Sequence, residues 1–531
     1  MIRILILPVL LFSIYRTCQW LRNYISACHY GVHIVLLPVS SSEEWWMPLR
    51  PLFKWVTHLP FGLGHWYLYT SMGWPTEDGN TSLLRYGENF ILCSPVGNVL
   101  VTSEASVVEK VFGAKVKGNE TGGGQLFAFY GQNVSSTRGN EWKRHRKIIM
   151  AAFNEKTNAR CWKEADAQAQ LLSLRLDGEH NLAELRSMCD VLAMRVLAIV
   201  AFGQDTDPSI VPAGHRQSLL ESLGFILQNI MLTIIFNSLK APDVFLPKIL
   251  RSLKASVNEF RLYMQESVLQ HMQNRTKPTN THPTSLLESM IAANETSKQD
   301  TGTSRAYLSD SELYGNLFVF NLAGYETTSG TFTFAFPYLA AHPAVQTWVT
   351  EEVDTYYHNV DDTPDYFNTY HKLVRCQAVM YETLRLATHA PMMTRTSMLP
   401  VTLSLNENNS ITIPPETRVG FNFYGAHLSP RWGKDVSDFR PQRFIAVSAA
   451  GEEMLEVPDG VLYTPWSVGP RLCPAKKFSQ VEFVSVLARV LAQWRVEGER
   501  EQLMGVLESK YFNVSAHLKR PEEGRVRFVR R

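Results

Sequence analysis

The most chemically pointed stretch of the chain is Trp466-Ser467-Val468-Gly469-Pro470-Arg471-Leu472-Cys473-Pro474-Ala475. One cysteine, Cys473, sits in a turn rich in Gly and Pro, two residues after Arg471 and just ahead of an amphipathic segment, Lys477 to Trp494, that reads as a helix. The thiolate is the reactive and metal-ligating form of cysteine, and a helix N-terminus with a cation nearby lowers a thiol's pKa. Gly469 and Pro470 suit a tight turn whose backbone N–H groups stay free to point at the sulfur. No second Cys or His lies at zinc-finger spacing, which argues against a structural zinc site. A lone thiolate on a rigid loop suits the one iron site that needs a single protein ligand, haem with an axial cysteine. The competing reading of this loop alone is an inert buried thiol, packed as a small hydrophobe.

Three upstream segments separate those readings. Ala323-Gly324-Tyr325-Glu326-Thr327-Thr328 interrupts a long apolar helix. Glu382-Thr383-Leu384-Arg385 sets opposite charges one helical turn apart, and Phe439-Arg440-Pro441-Gln442-Arg443-Phe444 brings another arginine shortly before the cysteine. A Trp-x-x-x-Arg pattern also occurs, as Trp142-Lys143-Arg144-His145-Arg146. Each motif is common by chance. In this order, ending on the cysteine loop, they resemble the cytochrome P450 family from about Pro60 to the C-terminus.

That resemblance implies a mainly α, single-domain fold with a smaller β portion, and haem b whose iron takes Cys473 as axial ligand. Trp142 and Arg146 would hold one propionate, with Arg395 and Arg471 among the other donors, and Trp466 would pack over the thiolate where the family most often has Phe. Thr327 would sit beside dioxygen, with Glu326 relaying protons. Glu382, Arg385 and Arg443 would form a buried structural network that fixes the cysteine loop. Ala475 stands where the family has glycine, which is tolerable if the backbone there is already helical. The implied reaction inserts one atom of O2 into a small lipophilic molecule, a secondary-metabolite intermediate in a fungal member. The implied electron source is NADPH through a separate flavoprotein reductase, since no flavin- or nicotinamide-binding fingerprint is present. Lys143, Arg144, Lys147, Lys476 and Lys477 would attract an acidic reductase. A haem-thiolate isomerase or dehydratase that does not use O2, and a haem-binding protein without turnover, are the rivals.

The elements that must carry these groups are legible too. Ser309 followed by Glu312 reads as an N-cap and capping box opening a helix that is apolar on every side, Leu317 to Leu322, and such a helix belongs inside a protein or a membrane. Polar residues within it need a reason. Gly324 lowers helix propensity by about 1 kcal/mol against Ala, and Thr327 and Thr328 can bond backbone carbonyls, which together permit a local widening. Pro337 is expected to kink the second half. Glu382 and Arg385 fall on a helix from near Val374 that ends before Pro391. Tyr86 to Val101 reads as two short strands about a Ser94-Pro95-Val96-Gly97 turn, and short strands return after Ala390. Residues 117–125 read as a loop and 298–304 as a polar linker. Apolar stretches at 126–130, 225–236, 318–322 and 391–393, with Tyr511-Phe512, are candidate substrate contacts or plain core.

Bulk properties bound the class. Hydrophobic residues make up 45% of 531 and charged ones 19%, enough for a large core, and a net charge of +2 argues against a nucleic-acid binder. Seven scattered cysteines suit a reducing compartment rather than a disulfide framework. The apolar run Ile4 to Tyr15 is shorter than the roughly 20 residues that span a bilayer. With Val32 to Val39 and the aromatics Trp45, Trp46 and Trp55, it suggests a membrane anchor over 1–23 and a linking or interfacial segment over 24–60. The haem-thiolate domain would fill 61–531, on the cytosolic face of the endoplasmic reticulum. A short span and an interfacial association both satisfy the pattern.

Overall fold

The computed structural model describes residues 2–43, 45–112, 119–120, 127–203, 207–230, 232–233, 246–275, 285–299, 307–358, 362–397, 400–406 and 409–531. Most of the loop expected at 117–125, much of the linker at 298–304 and parts of the apolar stretches at 126–130 and 225–236 lie outside them, while Asn119 and Glu120, expected as loop, are a short strand. Helix predominates, with fewer and shorter strands. The chain forms two compact units, one from residues 1–121, 388–438 and 458–472, the other from 122–387, 439–457 and 473–531.

In the first unit, helix α1 (Ile2–Cys28) leads into strand β1 (His33–Leu36), which pairs in parallel with β2 (Asn89–Ser94). A hairpin joins β2 to β3 (Gly97–Thr102), which pairs in parallel with β5 (Arg418–Asn422); β4 (Met392–Thr396) completes the sheet antiparallel to β5, with Asn119–Glu120 on its far edge. Gly97 closes the hairpin at φ 137, a backbone state an L side chain resists. Leu7, Leu10, Leu11 and Phe12 of α1 are exposed, but its second half docks. Ala27 is buried against the sheet, Trp20 Nε1 donates to the Cys93 carbonyl at 3.2 Å and Asn23 Nδ2 to the Ser94 carbonyl at 2.8 Å. The expected boundary at residue 23 therefore falls inside one continuous helix, and the segment after it supplies an edge strand. Among the described residues no helix is long and apolar enough to cross a membrane.

The second unit is helical. Its elements include α2 (Gly139–Met150), α3 (Glu155–Ser173), α4 (Leu182–Phe202), α5 (Lys248–Arg275), α6 (Asp310–Ala341), α7 (Val374–Leu386) and α8 (Lys476–Gln493), followed by a hairpin of β6 (Lys510–Phe512) and β7 (Ala516–Leu518). Helix α6 opens on the Ser309/Glu312 capping box and runs 32 residues without a break in its helical assignment, through Gly324 and Pro337 alike. Phe332, Phe334 and Phe336 are fully buried, and the Phe332 ring stacks on Phe483 of α8 at 5.1 Å. Packing on every side compensates the helix for the bond Pro337 cannot donate. Gly315 is required by a neighbouring chain segment: a Cβ there would lie 2.3 Å from the Gly131 carbonyl oxygen.

Candidate active site

The loop before the cysteine belongs to the first unit and is held from below by a histidine. The Thr464 N–H donates to His427 Nε2 at 2.9 Å, so the ring proton sits on Nδ1, 2.7 Å from Thr388 Oγ1. Ser467 adopts φ 65 and Gly469 φ 68; the Ser467 N–H bonds the Thr464 carbonyl at 2.9 Å and the Leu472 N–H bonds the Gly469 carbonyl at 3.0 Å. A left-handed serine is sparsely populated and persists only where its surroundings dictate it. Trp466 and Arg471 are half-buried in this loop, and Arg395 is half-buried on β4 opposite Val419.

Cys473 itself falls in the second unit, two residues ahead of the N-cap position of α8. Burial pushes its thiol up, while the Ala475 backbone N–H, Arg146 and Lys476 pull it down. Ala475 has φ −95, so its methyl costs nothing. On α2, Trp142 and Arg146 are half-buried one turn apart, and burial lowers the Arg146 pKa against the opposing pull of Cys473. Lys143 and Lys147 are exposed. Arg144 does not join them: its Nη2 is 2.6 Å from Glu312 Oε1 and its Nη1 donates to the Tyr307 carbonyl, so it secures the start of α6. The Lys477 ammonium lies 3.8 Å from the centre of the Tyr370 ring.

Helix α6 presents two different faces within one turn. Ala323 is exposed and Thr327 half-buried, one turn apart, and the Thr327 hydroxyl donates to the Ala323 carbonyl at 2.7 Å. Leu322, Tyr325, Glu326 and Thr328 are buried. The Glu326 carboxylate turns to a cluster of its own, with Arg186 Nη2 at 3.0 Å on one oxygen and Ser515 Oγ at 2.8 Å and His517 Nε2 at 2.9 Å on the other. Burial alone would raise its pKa; Arg186, His517 and Ser515 outweigh burial and hold it well below the usual carboxylate range. The hydroxyl and the carboxylate, neighbours in sequence, are thus engaged in separate directions. Arg186, Ser515 and His517 carry no signal in the linear sequence, because they lie far from Glu326 along the chain, Ser515 by 189 positions.

Glu382, Arg385 and Arg443 are brought together. Glu382 accepts from Arg385 Nε at 2.7 Å and Nη2 at 2.8 Å, from Arg443 Nε at 2.9 Å and from the Arg440 backbone N–H at 2.9 Å. The Glu382 and Arg385 side chains have no exposed surface. A second buried pair that sequence patterning missed, Arg489 with Asp166 at 2.7 Å, ties α8 to α3.

Comparison with known proteins agrees with this architecture. The fold matches that of a zebra fish cytochrome P450 solved with abiraterone, at a TM-score of 0.66 and 20% identity, over 86% of this chain and 99% of that one. This is a cytochrome P450 fold. The family described as Cytochrome P450 matches residues 84–517, and the chain belongs to it. Curated relatives include the phomenoic acid biosynthesis cluster cytochrome P450 monooxygenase of Leptosphaeria maculans, 26% identical over 94% of this chain and 92% of that one. A cytochrome P450 monooxygenase of Penicillium rubens is 26% identical over 92% and 90%. The protein is accordingly an oxidoreductase of the monooxygenase class, and family membership brings haem iron, dioxygen, a redox partner and a lipophilic substrate with it. The residues present fit haem. An ionisable thiol lies under the influence of Arg146 and Lys476, and small side chains leave the Ala323–Thr327 face open in the middle of a helix whose neighbouring positions are buried.

Proposed function

We propose that this protein is a haem-thiolate monooxygenase with Cys473 as the axial ligand, placing one oxygen atom from O2 into a small lipophilic intermediate of fungal secondary metabolism. Electrons would come from NADPH through a separate flavoprotein reductase. The carrying observation is the place of Cys473, at the end of the Gly-Pro loop and two residues ahead of the N-cap of α8, where burial raises its thiol overall and the Ala475 N–H, Arg146 and Lys476 pull the other way, toward the form that binds iron. Bound through a thiolate, haem iron supplies the activation of dioxygen, with electron push from the sulfur. The chain's own residues do the rest. As the family resemblance implies, Trp142, Arg146, Arg395 and Arg471 would be the donors for the two propionates and Trp466 would screen the sulfur, with Glu382, Arg385 and Arg443 as structural supports. The Thr327 hydroxyl, on the open face of α6, would orient and donate, and Glu326 would help relay protons to it. A relative's place in a phomenoic acid gene cluster supports the biosynthetic setting. The exposed Leu7, Leu10, Leu11, Phe12 and Ile14 of α1 support an association with the endoplasmic reticulum membrane that leaves the catalytic part cytosolic.

The decisive measurement is the carbon monoxide difference spectrum of the reduced protein. Wild type should show the red-shifted thiolate band, and Cys473→Ser should lose it together with reductase-driven turnover. A thiolate band retained in Cys473→Ser would falsify the assignment. NADPH consumption in step with oxygenated product separates this reading from an isomerase, which needs neither reductant nor O2.

A further inference from the structure

Helix α1 carries two stripes with opposite tasks. Arg16, Trp20, Asn23 and Ala27 recur at helical spacing on the docked side. Trp20 and Asn23 bond carbonyls of β2, Ala27 is buried, and the Arg16 guanidinium pairs with Glu43 while its Nη2 donates to the Pro38 carbonyl at 3.1 Å. Leu7, Leu11, Ile14, Cys18, Leu21 and Ile25 recur at the same spacing along the opposite side, and all are exposed. That outward stripe is roughly 27 Å long. The Arg16–Glu43 pair leads to a second exposed surface of the same unit. Trp45 Nε1 donates to Glu43 Oε1 at 3.1 Å, the Trp45 ring lies 6.0 Å from Trp46, and Trp46 lies 5.2 Å from Phe53 in the 3-10 turns of Arg50–His58. In this stretch Leu52 is 70% and Phe61 97% exposed, and Trp45, Trp55 and Leu63 are exposed as well.

We propose that α1 lies flat in the cytosolic leaflet of the membrane, held by its outward stripe and by the apolar surface over 45–63, and does not cross the bilayer; this rests on the membrane association given above. Length and docking both oppose a span. The apolar run between Arg3 and Arg16 makes roughly 18 Å of helix against a hydrocarbon core of about 30 Å. Drawing more of the helix in would carry Arg16, Arg22 and Asn23 into the bilayer and break the bonds that Arg16, Trp20 and Asn23 make to the body of the unit. A helix pinned along one side and apolar along the other meets both demands in the plane of an interface. Lipid is the partner this surface fits. Leu10, Phe12 and Tyr15 are exposed beside the stripe, so apolar side chains cover more than half of the helix circumference there. A protein partner covers one face of such a helix, whereas acyl chains close around it. The exposed indoles of Trp45 and Trp55 and the exposed cations Arg22 and Lys54 supply the groups that suit headgroups.

The test uses the full haem-loaded chain and vesicles of phosphatidylcholine with phosphatidylinositol. Wild type should float with the vesicles. Leu11→Glu with Leu21→Glu on the stripe, and Leu52→Glu with Phe61→Glu on the second surface, should each weaken that partition several-fold. Both pairs should keep the melting temperature and carbon monoxide spectrum of wild type, because the side chains changed are exposed. Two further readouts need no such variant. Labelling of Cys18 by a water-soluble maleimide, followed by peptide mass, should slow several-fold when vesicles are added. In intact microsomes an epitope tag placed ahead of Met1 should be digested by added protease. A tag protected from protease, unchanged labelling of Cys18, or unchanged partition of either pair overturns the in-plane helix and leaves membrane association standing. Wild type that stays in solution beside the vesicles, whether as a monomer or as a dimer closed over the stripe, overturns both.

Discussion

At the scale of single residues, the chain places carboxylates in the interior and leaves each with a distinct set of partners. Glu382 has no exposed surface and accepts hydrogen bonds from two guanidinium groups and one backbone N–H. Removing either member of such a set strands a buried charge, which costs about 3–5 kcal/mol. Glu382→Ala and Arg385→Ala are therefore expected to purify largely without haem and to melt well below wild type, as read by pyridine haemochrome content and differential scanning calorimetry. Normal haem content in either variant removes the supporting role assigned to the trio. Glu482 of α8 shows the contrasting case: burial pushes its carboxyl well above the ordinary value, so it stays neutral. Ser467 illustrates strain at the same scale, since a serine at φ 65 is retained by the hydrogen bonds of the loop around it.

At the scale of elements, helix α6 depends on how it starts. Ser309 caps the Glu312 N–H, and the Glu312 carboxylate reaches back to the Ser309 N–H at 2.7 Å while pairing with Arg144 of α2. Burial would raise the Glu312 carboxyl, but Arg144 and the Ser309 backbone hold it down to about 2. A depressed folded-state pKa contributes stability that is complete above the ordinary value near 4.5 and is lost as pH falls toward 2. Wild type should thus lose melting temperature between pH 5 and pH 3 more steeply than Glu312→Gln, which should be the less stable protein at neutral pH and show a flatter acid profile (about 1 kcal/mol for the cap and pair together). Parallel acid slopes for the two proteins would count against the cap's contribution. Glycine acts at this scale as well: Gly315 lets the Gly131 carbonyl lie against α6, and alanine there would push the two segments apart.

At the scale of the whole molecule, the two compact units are each assembled from segments far apart in the chain, so no terminal segment can be assumed dispensable. Truncation should reveal this. Deleting residues 1–14 removes a stretch whose visible apolar side chains are exposed and should leave the melting temperature unchanged. Deleting residues 1–28 also removes Trp20, Asn23 and Ala27 from the sheet, and should lower it measurably. Equal stability in both truncated proteins would show that the docked half of α1 contributes nothing. Much of this organisation is legible in the linear chain because it is local. The α6 cap, the span of α7 over Glu382 and Arg385, the hairpin at Ser94 to Gly97 and the loop leading to Cys473 are written within a few residues of each other. Periodicity and capping act over one or two turns, so sequence alone determined them. What only the tertiary structure decided is which distant groups meet. It gave Arg144 to Glu312 rather than to the surface, carried one helix past the expected boundary at residue 23, and turned Glu326 toward Arg186, Ser515 and His517 while Thr327 faced another way. Those outcomes rest on helix packing and charge burial between segments that share no local pattern, and a side chain's neighbours across the core are set by how helices pack, not by what precedes it in the chain.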